Sequence, residues 1–128
     1  MCIRDSIWLN DDEVMPLRLD PLPSDRNIKE GLMPKVGFID NTFTGWNRKA
    51  KIEWPEWNAE MVMESDAPLD FLVMYAPLNE DFFCVEPVSN VTDAFNMMDR
   101  GEAGHGTTVL EAGQSLKSRI TFMPKWTG

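Results

Sequence analysis

The chain has 128 residues, of which 43% are hydrophobic and 26% are charged, so it is long enough for one globular domain with a modest core. Its formal net charge of −9 argues against nucleic acids and anionic membrane surfaces as partners, and it permits a neutral ligand. No apolar stretch approaches the length of a membrane span, and no signal peptide is recognisable. We therefore expect a cytoplasmic protein that binds no membrane.

The first 27 residues predict little regular structure. They are rich in aspartate and proline, and only Val14, Leu17 and Leu19 suggest an alternating pattern. We expect residues 1–27 to be a poorly ordered or non-native segment, with the β-domain formed by residues 28–128. The opening letters, MCIRDS, look like a start that is foreign to the rest of the sequence.

The rest of the chain is divided into short segments by recurring prolines and glycines, which are typical of turns. Residues 50–54 and 59–63 place apolar side chains at every second position, as half-buried antiparallel strands do. Residues 69–76 are apolar on both faces and predict a central strand. Residues 116–122 alternate again and predict a final, half-exposed strand. The pattern indicates an all-β, antiparallel sandwich, and residues 94–98 predict at most one helical turn.

Two carboxylates stand where an apolar run meets a polar segment. Glu86 immediately precedes a proline, and a carboxylate facing a cleft at such a place can serve as an acid or a base. On residue chemistry alone, a capping or ion-paired glutamate at the rim of a sheet is favoured over an acid or base. Asp40 can accept hydrogen bonds from a ligand or form an Asx-turn with Thr42. We expect both carboxylates at the same end of a sheet, facing one concavity.

The sequence predicts neither a metal site nor a cofactor. It has a single histidine, His105, and no Cys-x-x-Cys pair, carboxylate cluster or glycine-rich phosphate loop. His105 lies between glycines and is expected to be a solvated surface residue. Cys2 and Cys84 do not make a disulfide framework, and Cys84, inside an apolar run, predicts a small buried hydrophobic residue.

Three segments carry a resemblance to a known family. Residues 83–96, FCVEPVSNVTDAFN, resemble the signature of the aldose 1-epimerase (galactose mutarotase) family. Residues 38–46, FIDNTFTGW, are similar to that family's strand-end Asp-Asn-x-Phe segment followed by Gly-Trp. Residues 109–115, VLEAGQS, resemble the family's closing Leu-x-Pro-Gly-Glu turn, although Ala112 and Gln114 replace the usual proline and glutamate. The segments occur in family order and span most of the chain.

The resemblance implies a galactose mutarotase-like β-supersandwich, incomplete here because complete members are longer at the N-terminus. It implies an isomerase that interconverts the α and β anomers of a free hexose of the glucose or galactose type. In that reading Glu86 is the catalytic base, Asp40 binds sugar hydroxyls, and Phe43 or Trp46 lines the sugar cleft. The family's acid is a histidine assisted by a second one; both belong to the missing part, and His105 corresponds to neither.

Two other functions remain open at this point. The first is a non-catalytic carbohydrate-binding β-sandwich that keeps the cleft without the acid. The second is a purely structural β-domain within a larger carbohydrate enzyme. Glu86 separates the enzyme from both, because neither a binding module nor a structural domain needs a basic carboxylate before a proline.

Overall fold

The structure, a computed structural model, describes residues 3–23, 37–126 and 128, and nearly all of its regular structure is β-strand. Within these residues there is one short α-helix, α1 (Ala94–Asp99), and one 3-10 turn (Pro55–Trp57). The strands, in chain order, are β1 Ile3–Asn10, β2 Pro16–Pro21, β3 Ile39–Trp46, β4 Lys49–Trp54, β5 Ala59–Ser65, β6 Phe71–Ala76, β7 Cys84–Val88 and β8 Ile120–Trp126.

The strands form two sheets that pack face to face as a sandwich. Five strands form the larger sheet in the order β2-β1-β3-β6-β7, and three form the smaller sheet in the order β4-β5-β8. Every strand pairing among the described residues is antiparallel. The predicted all-β, antiparallel sandwich is therefore confirmed. No helix in this described part is long and apolar enough to cross a membrane.

Three strands lie where the alternation predicts them. β4 and β5 pair along their whole length, from Lys49 opposite Glu64 to Trp54 opposite Ala59. β6 is central, as expected, between β3 and β7. The two faces of β6 differ in burial, since every second residue from Leu72 onward is buried and the others are half-buried. One face of this continuous apolar run thus packs into a core, and the other face lies on a partly covered surface.

The segment expected to be poorly ordered instead contributes two strands to the larger sheet. β1 lies between β2 and β3, and its residues Ile7 and Trp8 are buried. The aspartates that suggested disorder make the intervening turn, where the Asp11 carboxylate accepts two backbone N–H hydrogen bonds. The boundary expected after residue 27 therefore does not separate β1 and β2 from the sandwich. Residues 24–27 lie outside the described residues.

The last strand begins later than the alternation predicts. A strand was expected over residues 116–122, whereas β8 starts at Ile120. Its partner β5 ends at Ser65, which pairs with Ile120, so β5 offers earlier residues no further partner. Every residue of β8 is exposed, including Phe122 and Trp126, which project on the same side as the buried Met63. In the part of the chain that the structure describes, the larger sheet therefore leaves this edge of the core uncovered.

The main hydrophobic core lies between the two sheets. Phe43 of β3 and Leu72 of β6 are fully buried and meet Met63 of the smaller sheet. Burying side chains of this size stabilises the fold by about 1.5–3 kcal/mol each. The buried Asn41 donates a hydrogen bond of 3.0 Å from Nδ2 to the carbonyl oxygen of Trp8. This bond satisfies a polar group inside the core and ties β3 to β1.

A second apolar cluster covers part of the larger sheet's outer face, meaning the face turned away from the main core. It forms because α1 packs two of its side chains against the sheet and the segment before α1 adds a third. Its buried members are Trp8, Val91, Ala94 and Met97, with Phe71 packed against them. The helix is short, so this tertiary contact and not helix propensity holds it in place.

The loop that follows α1 returns over this second cluster. The backbone N–H of Val91 donates to the carbonyl oxygen of His105 at 3.0 Å, which fixes the loop to the segment before α1. Gly106 lies so close to the sheet that a Cβ would come within 2.3 Å of the Phe71 ring and 2.5 Å of the Ser89 carbonyl oxygen. Its φ of +77° is also one that side-chain-bearing residues rarely adopt. Glycine is required here by space as well as by backbone conformation.

We predict that Gly106→Ala destabilises the chain more than Gly101→Ala does. Both residues have positive φ, but a Cβ at Gly101 would meet nothing within 4 Å. Gly101→Ala should cost only the backbone strain, about 1–2 kcal/mol. Gly106→Ala should cost roughly 1–3 kcal/mol more, because the Ser89 carbonyl must move. Urea unfolding followed by tryptophan fluorescence measures both; equal losses would show that the loop does not pack as described.

Candidate functional site

Asp40 and Glu86 project from the same, outer face of the larger sheet. The register of β3, β6 and β7 places Asp40 opposite Tyr75, and it places Thr42, Val73 and Glu86 in one cross-strand row. Cross-strand partners and every second residue of a strand share a face, so the two carboxylates do as well. They stand two strands apart in adjacent rows, which separates their Cα atoms by roughly 12 Å.

Glu86 occupies the middle of β7 and not its end. The strand continues through Pro87 and Val88, because β7 is an edge strand and a proline there removes no ladder hydrogen bond when its nitrogen faces outward. The expectation of a partly dry carboxylate at a strand end was wrong, since Glu86 is exposed. Pro87 still confines Glu86 to extended backbone, and this directs the carboxylate onto the outer face.

Cys84 adds a thiol to the same face, two residues before Glu86. It is half-buried and free, rather than a fully buried core residue as the sequence predicted. Burial raises the pKa of the Cys84 thiol, and the nearby Glu86 carboxylate raises it further by its charge and by a hydrogen bond. The thiol therefore remains protonated near neutral pH, where it can donate to Glu86. The two-residue spacing within a strand was the signal that sequence reasoning left unused.

Asp40 is the more enclosed of the two carboxylates. It is the second residue of β3 and is half-buried, so it lies within the strand ladder and not in an Asx-turn. The side-chain amide of Asn10 donates a hydrogen bond to the Asp40 backbone carbonyl, which braces the residue against β1. Burial raises the pKa of the Asp40 carboxyl above its ordinary value of 3.8. The group can accept hydrogen bonds at neutral pH from a position that is already partly shielded from water.

Phe43 does not line this face, and its assignment to the sugar cleft was wrong. It is fully buried in the main core, opposite Leu72 and Ile7. Asp40 and Phe43 are three residues apart in one strand, so their side chains point to opposite faces. Trp46 is also in the main core, and its indole Nε1 donates to the carbonyl oxygen of Leu69 at 3.1 Å. Neither aromatic residue is available to a ligand on the outer face.

Other aromatic rings lie beside Asp40 that sequence reasoning did not single out. Tyr75, which pairs with Asp40, has ring contacts to Phe38 at 6.3 Å and to Phe82 at 6.2 Å between centroids. An apolar opening of about 320 Å³ lies instead between the two sheets. Its wall includes Met63 and Val85, which face the main core, so it is separate from the face that carries the carboxylates; Phe82 borders both.

His105 is half-buried in the loop that covers the second cluster, and so is less exposed than expected. Its Nδ1 accepts a hydrogen bond of 3.0 Å from the backbone N–H of Thr107. This bond requires an unprotonated Nδ1 and gives the imidazole a local structural role. Within the residues that the structure describes, no group of three or more His, Cys, Asp or Glu side chains could hold a metal ion.

Comparison with known proteins agrees with the fold. No protein-family model matches the chain. Over 114 residues it is 29% identical to the uncharacterised protein YphB of Escherichia coli (strain K12), an alignment that covers 84% of this chain and 38% of YphB. A crystal structure from Escherichia coli K12, described as "a Putative aldose 1-epimerase", matches with a TM-score of 0.80 and 22% identity. That match covers 95% of this chain and 43% of the other.

The chain therefore spans about two fifths of the length of each of these proteins. At 22% identity, the structural match shows a shared fold: the sandwich described above is the fold of that part of the crystal structure. The coverage fits the sequence-based expectation of an incomplete supersandwich.

We predict that Asp40→Asn changes the free energy of unfolding more favourably at pH 7 than at pH 3. Burial raises the pKa of Asp40, so in the folded chain the carboxyl keeps its proton to a higher pH than in the unfolded chain. Its favourable contribution is complete below pH 3.8 and is lost as the pH rises through the folded pKa. Asparagine cannot ionise and so avoids that loss.

Thermal unfolding followed by circular dichroism at both pH values tests this prediction. The gain at pH 7 should be small, because the carboxyl is only partly buried. Asp99→Asn, at an exposed position at the end of α1, is the matched control and should show no such difference. An Asp40→Asn variant that loses more stability at pH 7 than at pH 3 would contradict the assignment.

Proposed function

We propose that this chain forms part of a sugar isomerase of the aldose 1-epimerase type, which interconverts the α and β anomers of a free hexose. The observation that supports it most directly is the placement of Asp40 and Glu86 in adjacent rows on one sheet face, where Glu86 is exposed and Asp40 is half-buried. The chain's net charge of −9 suits a neutral sugar better than an anionic ligand. The shared fold with a structure described as an epimerase of this type adds support from analogy.

In this proposal Glu86 is the base. It takes the proton from the C1 hydroxyl while an acid protonates the ring oxygen, so the bond between C1 and the ring oxygen breaks and C1 becomes a carbonyl. Rotation about the adjacent carbon–carbon bond and reclosure on the other face of the carbonyl give the opposite anomer, with each proton returned by the reverse transfer. The protonated Cys84 thiol, as a hydrogen-bond donor to Glu86, helps to orient the carboxylate.

Asp40 has the positioning role. A carboxylate offers only hydrogen-bond acceptors, so it binds sugar hydroxyls as donors and fixes the ring relative to Glu86. Its backbone is held by the β3–β6 ladder and by Asn10, so little ordering of Asp40 is required when the sugar binds. β6 lies between their strands, so a hexose at this site would rest over Tyr75 and Val73, with Asp40 on one side and Glu86 on the other.

The acid is proposed to come from outside these 128 residues. The only histidine, His105, uses Nδ1 as an acceptor for Thr107 and packs with the loop over the second cluster. The exposure of Glu86 also supports a contribution from outside these residues. A base that works in a shielded site must be covered, and here further protein or the substrate would have to cover it.

A non-catalytic carbohydrate-binding sandwich is the second candidate. The same observations favour it: Glu86 is exposed, and His105 is engaged in its own loop. The two candidates differ in what Glu86 does, since a binding module would use it only as a hydrogen-bond acceptor. A substitution that removes the charge of Glu86 but keeps the shape of its side chain distinguishes the two candidate functions.

We predict that Glu86→Gln in the full-length protein lowers kcat by roughly 10²–10⁴-fold and leaves KM within a few-fold. The amide keeps the size and most hydrogen bonds of the side chain but cannot accept the proton. Polarimetry of freshly dissolved α-glucose or α-galactose, corrected for spontaneous mutarotation, gives both constants.

Glu56→Gln is the matched control, because Glu56 is exposed in the 3-10 turn beside the smaller sheet and should not affect turnover. Near-normal kcat in the Glu86→Gln protein would show that Glu86 is not the base. Loss of sugar binding together with turnover would show that Glu86 binds the sugar, and unchanged binding in a full-length protein without any turnover would favour the binding module.

We further predict that the 128-residue chain by itself gives negligible mutarotation. Acid and base act on the same ring-opening step, so a lone carboxylate retains little of the rate. The same polarimetric assay, at the highest soluble concentration of the chain, measures this directly. Turnover close to that of the full-length protein would mean that the acid lies within these residues.

A further inference from the structure

Three aromatic rings form a cluster beside Asp40, which we call the Tyr75 cluster and define as Phe38, Tyr75 and Phe82. The Phe38 ring meets Tyr75 edge-on, with an interplanar angle of 89°. The Phe82 ring meets Tyr75 at 51°. Such tilted arrangements at centroid distances of 6.2 and 6.3 Å are the favourable ones for aromatic pairs, so the rings support one another.

The strand register places this cluster on the face of the proposed sugar site. Tyr75 lies directly opposite Asp40 and one row from Glu86. Phe38 precedes Asp40 by two residues, and Phe82 belongs to the loop that enters β7. The Tyr75 cluster therefore borders Asp40 along the sheet end at which β3 starts and β6 ends.

The two phenylalanines keep much of their surface exposed. Phe38 is 44% exposed and Phe82 is 52% exposed, and neither belongs to the main core or to the second cluster. Apolar surface of this kind beside a polar group is typical of a binding site. Tyr75 is half-buried and belongs to β6, an interior strand of the larger sheet.

The chemistry of the cluster and its neighbour fits an amphipathic, uncharged ligand. A pyranose presents axial C–H groups on one face, which pack against the electron-rich face of an aromatic ring, and hydroxyls around its edge, which a carboxylate can accept. An anionic ligand would be repelled by Asp40, by Glu86 and by the net charge of −9. A purely apolar ligand would leave the half-buried Asp40 carboxylate without a donor.

We propose that Phe38, Tyr75 and Phe82 form a platform of differently tilted rings, against which a hexose packs its apolar face while Asp40 binds its hydroxyls. This inference rests on the proposed function and deepens it, because it names the residues that select the ring face of the substrate. It takes the place of the cleft role that the sequence assigned to Phe43. Phe38 and Phe82 are positioning residues, and proton transfer stays with Glu86.

The test compares Phe38→Leu and Phe82→Leu in the full-length protein with Trp57→Leu. Leucine keeps apolar volume but has no ring face, so it separates stacking from packing. Trp57 is the control because it is 68% exposed and lies beside the smaller sheet, away from Asp40. Each Phe→Leu change should raise KM for α-galactose or α-glucose about fivefold, with kcat within twofold, since one aromatic contact contributes on this scale.

Saturation-transfer NMR on the same proteins gives a readout independent of turnover. With the aromatic protons saturated, the C–H protons of one sugar face should receive the strongest transfer, and each Phe→Leu variant should lose at least half of it. Phe82→Tyr should restore both KM and the transfer, because it restores the ring. Trp57→Leu should change neither.

The outcomes separate this inference from the proposed function. Unchanged KM and unchanged transfer in both Phe→Leu variants, with Glu86→Gln inactive, would overturn the platform and leave the isomerase intact. Reduced transfer in both variants, with Glu86→Gln fully active, would uphold the platform and overturn Glu86 as the base. A loss of kcat without a change in KM would overturn a stacking role.

Discussion

The antiparallel ladder that joins β3, β6 and β7 is the constraint on which the rest of the molecule depends. Side chains alternate across a strand, so one register decides both what the sandwich encloses and what it presents outward. In this register Phe43 and Leu72 meet in the main core, while Asp40 and Glu86 project from the outer face. A slip of one residue would exchange the two sets and bury the carboxylates, which costs far more than it gains.

The outer face is divided into a covered part and an accessible part. α1 and the loop around Gly106 cover the part above Trp8 and Phe71, where a buried apolar cluster forms. The accessible part carries Asp40, Glu86 and the Tyr75 cluster. This division leaves one part of the sheet face covered by a buried apolar cluster and another part partly exposed.

The smaller sheet is also only partly covered, in this case on the side that faces the core. β8 is exposed on both faces, and the opening of about 320 Å³ between the sheets leads to this edge. Phe122 points toward the core side, and no strand of the larger sheet among the described residues covers it. The chain spans about two fifths of the length of the proteins that it matches.

Local sequence patterns predicted the fold class, because alternation and turn residues act over a few residues at a time. They located β4, β5 and β6, and they identified Asp40 and Glu86 as residues of interest. The sequence also contained the argument against Phe43, since three positions along a strand reverse the face. Likewise, the two-residue spacing of Cys84 and Glu86 implied that their side chains share a face of the strand.

Tertiary structure decided what depends on partners distant in the chain. The aspartate-rich N-terminal segment is a pair of strands because β3 offers β1 a hydrogen-bonding edge and a core for Ile7. β8 begins at Ile120 because its partner ends at Ser65. Glu86 is exposed because β7 lies at an edge, and the rings beside Asp40 meet only when β3, β6 and the loop before β7 come together. Such contacts join residues tens of positions apart, and no local pattern specifies which of them form.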